Sequence, residues 1–291
     1  MVVIDNERCT GCGSCVKICH EHCMSLIDQK VAIDYAACST CTQCIASCPQ
    51  KALSWNGVLP IDFDQALLPS VSQLDELFRE RRTIRAFTDK TVDRKTLEQI
   101  ISWGAYAPTH NFNLRCIAID DPEIIEAFDK AAFLFSKRIY RLVFRSRLIR
   151  GLVALAPRFM REEFNKALPK LETAVKRGRG YECRPPALVC VAGDARVPLS
   201  LESAQYALYN MSLFAQVKGL GCRNLVGNQM IFNRSKKIRR LLCLQSYEKI
   251  FAIAGFGHPA VRFKNKVLSK RMNIQWNGRS EFKGGLDGDN E

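Results

Sequence analysis

The chain has 291 residues, 47% hydrophobic and 25% charged, a balance that excludes a disordered or collagen-like polymer and leaves room for one small module and one sizeable domain. No apolar run approaches the roughly 18 residues of a membrane span, so the sequence predicts no transmembrane segment. The formal net charge of +14 is concentrated: fourteen Lys and Arg face only four acids between residues 137 and 184.

The chain opens on a repeat. Cys9, Cys12, Cys15 and Cys19 are followed 29 positions later by Cys38, Cys41, Cys44 and Cys48. Each run reads C-x2-C-x2-C-x3-C. In this spacing three thiolates wrap one cuboidal 4Fe-4S cluster and the fourth reaches across to a second. The expected ligand sets are therefore Cys9, Cys12, Cys15 and Cys48 for one cluster, and Cys38, Cys41, Cys44 and Cys19 for the other. Structural zinc is the competing reading, but zinc sites usually pair two CxxC knuckles over longer loops. A disulfide framework is disfavoured because MVVIDNERC carries no charged n-region, apolar h-region or cleavage site. The expectation is an intracellular, cytoplasmic protein.

Sliding the first half onto the second places Cys23 on Ala52, which makes Cys23 a small buried side chain rather than a ligand. Pro49 follows Cys48, whereas His20 follows Cys19, a difference that bears on local potential and not on ligation. The segment through about residue 60 resembles bacterial-type dicluster ferredoxins. Two oxidised clusters, each about −2 with its thiolates, bring the loaded chain to about +10.

After a linker over residues 61–73, Leu74, Leu77, Phe78 and Arg81 fall at helical intervals, and Leu97, Ile100, Ile101 and Ala105 mark the apolar face of a second helix. Between them lies RRTIRAF. Forked guanidinium donors beside a hydroxyl suit a phosphate, although a basic helix end is also commonly a solvated face. Residues 133–184 form a basic helical stretch divided by Pro157 and Pro169, and ALVCVAG reads as a strand after it. GLGCRNLVG does not fit a dinucleotide-binding loop, because it lacks G-x-G-x-x-G opening a helix and an acidic residue at the required offset. Cys116, Cys183, Cys190, Cys222 and Cys243 show no metal spacing and read as buried or half-buried.

RRTIRAF, APTHNFN, GLGCRNLVG and FKNKVLSKRMNIQW, in that order over residues 74–276, resemble the nitroreductase family. The resemblance implies an α+β fold with a central sheet flanked by helices, and an intertwined homodimer with FMN at each subunit interface. It carries phosphate binding onto Arg81, Arg82 and Thr83, and the cation near flavin N1 and O2 onto Arg85. Pro108, Thr109 and Asn111 fall on the segment laid against the partner's flavin. Val226 and Gly227 fall where backbone amides approach N5, and Lys270 and Arg271 are candidates for a distal phosphate contact. Arg85 is the candidate catalytic group, with water, Tyr181 or His110 as the proton source.

The implied activity is that of an iron-sulfur flavoprotein oxidoreductase. Electrons enter through the clusters, pass to FMN, and leave as hydride for a small electron-poor acceptor such as a nitro compound, quinone or activated alkene. An electron-transfer flavoprotein serving a protein partner, or a flavin-consuming or dehalogenating enzyme, are the alternatives. Four readings stay open for the basic stretch: a lid for an anionic substrate, a docking face for an acidic electron carrier, an amphipathic membrane surface, or a solvated cover. Nucleic acid is not an expected partner. The tail, residues 277–291, reads as flexible.

Overall fold

The computed structural model describes residues 1–108, 113–268, 272 and 274. The first part keeps the sequence repeat in its backbone. Strand β1 (Val2–Ile4), helix α1 (Ser14–Ile18) and strand β2 (Met24–Ile27) recur 29 residues on as β3 (Lys30–Ile33), α2 (Gln43–Ala46) and β4 (Leu53–Trp55). The pairing is crossed: β1 runs antiparallel to β4, and β2 to β3, so each half completes the other's ribbon. Left-handed backbone also repeats, at Gly11 and Thr40, Gly13 and Thr42, His22 and Lys51, and Asp28 and Gly57. Only Gly11 strictly needs to lack a side chain, since a Cβ there would lie 2.3 Å from the Gln29 carbonyl oxygen. Val2, Met24, Val31, Ile45 and Leu53 form the apolar core between the cysteine runs.

Helix α3 (Val71–Glu80) starts with a capping box, in which Ser70 Oγ accepts from the Gln73 backbone amide and the Ser70 backbone amide donates to Gln73 Oε1. Helix α4 (Arg94–Ser102) is capped by Asp93, which accepts from the Thr96 amide at 2.8 Å. Leu97 and Ile100 are buried on α4 as expected. Ala105 instead falls in a 3-10 turn, Trp103–Tyr106, and is exposed, because the tighter turn rotates it off the helix's apolar face.

Strand β5 (Leu114–Ile119) leads into the helical excursion: α5 (Pro122–Arg145), α6 (Arg147–Leu155) and α7 (Arg158–Arg177). Ser146 ends α5 and caps α6, its Oγ accepting from the Ile149 amide. Pro157 separates α6 from α7, but Pro169 lies inside α7 and does not divide it. Packing of α7 along α5 holds the helix through the missing hydrogen bond. Strand β6 (Ala187–Asp194), helix α8 (Ser200–Val217), strand β7 (Gly221–Asn224), helices α9 (Gln229–Arg234) and α10 (Lys236–Leu241), and strand β8 (Glu248–Gly257) complete the described α-helices and strands, with further 3-10 turns at Gln65–Leu67 and Val226–Asn228.

The sheet is antiparallel, in the order β5-β6-β8-β7. Along β6, Ala187, Val189 and Val191 pack with α4 and α8 on one face, whereas Leu188 and Cys190 pack with α5, α9 and α10 on the other. The register shifts opposite Val191 and Ala192, where β8 carries an extra residue at Phe251. This bulge lets Ile250 and Ile253 face the same core despite their odd spacing. The result is α+β, with a central sheet between two helical layers. Among the described residues no helix is long and apolar enough to cross a membrane.

Candidate cofactor sites

The cysteines line two separate cavities. Cys9, Cys12, Cys15 and Cys48 surround the first together with Leu26, Val31 and Leu53. Cys19, Cys38, Cys41 and Cys44 surround the second, beside Val2 and Met24. Among the described residues, no group of three or more His, Cys, Asp or Glu gathers as ligands of a single metal ion. Four thiols spaced around an apolar hollow suit a cuboidal cluster better than one tetrahedral ion. Cys23 is buried, lines the second cavity, and places its Sγ 3.3 Å from that of Cys19. The Ala52 amide donates to Cys48 Sγ at 3.3 Å, the type of contact that tunes a ligating sulfur.

The second site is built around RRTIRAF. Arg81 ends α3, its amide donating to the Leu77 carbonyl. The chain then runs beside β7: Thr83 bridges Cys222 in parallel, and the Ile84 amide donates to the Cys222 carbonyl at 3.0 Å. Farther on, Phe87 bridges Pro259, and the Ala260 amide donates to the Ala86 carbonyl at 3.0 Å. Gly221 permits this approach, because a Cβ there would meet Ile84 Cγ1 at 2.5 Å. Between α3, α8, β7 and the chain after β8 lies a cavity of about 270 Å³, lined among others by Arg81, Arg82, Thr83, Gln216, Asn224 and Arg262.

The cavity is cationic. Among the described residues Arg81, Arg82 and Arg262 have no carboxylate at ion-pair distance. Arg81 lies over the Tyr209 ring at 5.8 Å. Arg82 Nη1 donates to the carbonyls of Arg79 and Arg81 at 2.6 and 2.9 Å, so part of its guanidinium closes the C-terminus of α3. Glu80, the acid at the rim, accepts from Gln216 Nε2 at 3.1 Å.

The structure thus brings Arg81, Arg82 and Thr83 to one cavity. Arg85 is exposed and not among the lining residues; its charge faces Arg223. Burial pushes the Arg223 guanidinium below its ordinary range, Arg85 adds to that shift, and Tyr181 opposes it. Arg223 lies over the Tyr181 ring at 5.2 Å and donates to the Cys183 carbonyl. Pro108, Val226 and Gly227 are exposed, and a Cβ on Gly227 would meet open space. Thr109, His110, Asn111, Lys270, Arg271 and the 277–291 tail lie outside the described residues.

Tyr181 is 1% exposed, and burial pushes its phenol up from the usual value. Its hydroxyl accepts from Asn228 Nδ2 at 3.1 Å, and its amide donates to Asp129 at 2.6 Å. In this chain it is a core anchor rather than a group open to a substrate. Gln216, Asn224 and Arg262 were not legible as site residues. The available signal was Ser212 and Gln216, polar and one helical turn apart in the C-terminal half of α8, where their neighbours are mostly apolar. Cys116 and Cys243 are exposed rather than buried: Cys116 lies on the edge strand β5 and Cys243 in the turn after α10.

A nitroreductase family model matches residues 78–258. The chain belongs to the nitroreductase family. A 4Fe-4S binding domain model matches residues 1–21, so this nitroreductase-family oxidoreductase carries an iron-sulfur module at its N-terminal side. Among solved structures it is similar to a nitroreductase with bound FMN from Desulfitobacterium hafniense DCB-2 (14% identity, 69% of this chain and 96% of that one, TM-score 0.51). It is also similar to an iodotyrosine deiodinase bound to FMN and 3-iodo-L-tyrosine (20% identity, 70% and 98%, TM-score 0.50), and to an FMN-dependent nitroreductase from Clostridium difficile R20291 (17% identity, 70% and 99%, TM-score 0.48). The first two likenesses establish a shared fold. No curated protein matches the chain.

Proposed function

We propose that this nitroreductase-family protein is an iron-sulfur flavoprotein in which two 4Fe-4S clusters, held within residues 1–60, supply electrons to FMN in a domain spanning residues 74–276. The observation that carries the reading is the presence in one chain of two four-cysteine cavities and a cavity where three arginines, none of them in an ion pair, outnumber the one acid, Glu80. Arg81, Arg82 and Thr83 offer forked donors and a hydroxyl to a phosphate, with Arg262 adding charge from the chain after β8. FMN, when bound, exchanges electrons singly and in pairs, which couples one-electron clusters to an acceptor taking hydride. Arg85 would hold negative charge at the N1 side, and the backbone amides of Val226 and Gly227 would approach N5. We assign a nitro compound, quinone or activated alkene as the acceptor class.

A homodimer belongs to the same proposal. The cavity, at about 270 Å³, falls below the roughly 300–1,000 Å³ of a typical ligand cleft, as expected of a half-site. Helix α8 buries one apolar side in the core and still leaves Tyr206, Tyr209 and Val217 exposed. Tyr106 is also exposed, next to a Trp103–Phe214 stack with ring centroids 4.9 Å apart. Such a face calls for a partner surface.

The test is an anaerobic titration of purified protein, after iron, sulfide and flavin assays, with NADH, NADPH and a chemically reduced ferredoxin in turn. Bleaching of clusters and flavin by reduced ferredoxin alone supports entry through the clusters. Rapid flavin reduction by a nicotinamide, with the clusters following, reverses the direction and overturns it.

A further inference from the structure

Helix α6 presents Leu148, Leu152 and Leu155 to solvent at 74%, 59% and 85% exposure. Their i, i+4, i+7 spacing sets them on one face. Ile149 and Val153, on the other side, are half-buried. The apolar ridge continues into the start of α7 with Phe159 and Met160, 68% and 52% exposed. The ridge falls within the most basic part of the sequence, with fourteen Lys and Arg against four acids over residues 137–184, and Arg161 Nη1 reaches the Ala154 carbonyl of α6 at 3.4 Å. Three of those acids are already engaged within α7: Glu162 with Arg158, Glu163 with Lys166 and Glu172 with Lys176. Among the described residues, Lys137, Arg138, Arg141, Arg161 and Lys170 have no carboxylate at ion-pair distance.

We propose that the α6–α7 hairpin docks the protein reversibly on an anionic lipid surface. The leucines enter the boundary between headgroups and acyl chains, and the surrounding cations engage lipid phosphates. Two other occupants fit less well. A second copy of the chain meeting this face symmetrically would set two unneutralised basic clusters against each other. An acidic soluble carrier would match the cations but leave an aliphatic ridge, without hydrogen-bonding groups, against a polar surface. A bilayer complements both features at once. No described helix is long and apolar enough to cross it, so the contact lies in the interfacial plane. The inference does not depend on which acceptor the enzyme reduces.

The experiment is anaerobic co-sedimentation of the full-length, cofactor-loaded protein with phosphatidylcholine vesicles, with and without about one third phosphatidylglycerol. The expected result is binding to the anionic vesicles only, weakened by salt. Leu148→Ser/Leu152→Ser/Leu155→Ser should reduce it about tenfold. Because these side chains are exposed, the variant is expected to keep its cluster and flavin spectra; a second variant, Arg141→Gln/Arg161→Gln, probes the charge separately. The proposal is overturned by absence of binding to anionic vesicles. It is equally overturned by binding indifferent to the leucine substitutions, which would be charge adhesion alone, or by a leucine variant whose main change is a smaller oligomer.

Discussion

Arg85 and Glu248 show how differently two charged side chains can be used. Arg85 is exposed, faces the like charge of Arg223, and has no acid at ion-pair distance among the described residues. A cation left in this position gains most when negative charge develops nearby. Arg85→Ala is expected to slow flavin reduction by about tenfold or more while leaving flavin affinity within about threefold. Stopped-flow reduction beside a flavin-binding titration separates the two, and an unchanged rate removes Arg85 from the mechanism. Glu248 is a closed case by comparison. Arg115 donates to both its carboxylate oxygens at 2.7 and 3.0 Å, the Gln245 amide adds a third bond, and the Arg115 contact foremost holds the carboxyl below its usual range. A folded-state value below the unfolded one gives stability that is fully present above the unfolded value and is lost as pH falls through the folded one. Glu248→Gln should therefore destabilise the domain by about 1 kcal/mol at neutral pH, since Arg115 remains partly solvated. The gap to wild type should begin to narrow as the pH drops past the ordinary glutamate value of about 4.3 and close only farther down, at the depressed folded-state value, as urea melts at neutral and acid pH would reveal. Sequence pointed to Arg81, Arg82 and Thr83, which share one cavity, because donor chemistry is local. It did not reveal that Arg82 also closes α3, nor that Arg262 reaches the same cavity, because both depend on how distant backbone folds back.

At the scale of elements, the cavity depends on a backbone approach more than on any side chain. The 82–88 stretch lies between β7 and the chain leaving β8, held through Cys222 on one side and through Pro259 and Ala260 on the other. Gly221 is where it comes closest, and the atoms facing its missing Cβ belong to the branched and immobile base of Ile84. Gly221→Ala must push the stretch outward, at a cost of about 1–3 kcal/mol, and carry Arg82 and Thr83 with it. The expected outcome is a lower melting temperature together with flavin-depleted protein; full flavin occupancy at wild-type stability would show that the cavity does not need this contact. Helices with clear caps and apolar periodicity, α3 and α4, were legible in advance. So was β6, a continuous apolar run. The 3-10 turn at Trp103–Tyr106 and the uninterrupted passage of α7 through Pro169 were not, because tertiary packing overrides local preference at both places. The β8 bulge was equally hidden: a strand buried on both faces has no alternation from which a shift of register can be read.

At the scale of the whole molecule, the described apolar cores divide along the chain. One holds only residues from the cysteine repeat, while the other two hold only residues from Val92 onward. The repeat was the most legible part because cluster geometry fixes the spacing of its ligands, and that spacing survives even where Gly11 and Gly13 are replaced by Thr40 and Thr42 in the same left-handed backbone. Separate cores predict separable functions. Deleting residues 1–60 should remove the iron and sulfide, leave FMN bound, and abolish reduction by a ferredoxin-type donor while dithionite still reduces the flavin. Loss of flavin along with the iron would mean that the cysteine module helps build the flavin site. Retained reduction by ferredoxin in the truncated protein would mean that electrons reach the flavin without the clusters, and the arrangement of donor, clusters and flavin in series would fall.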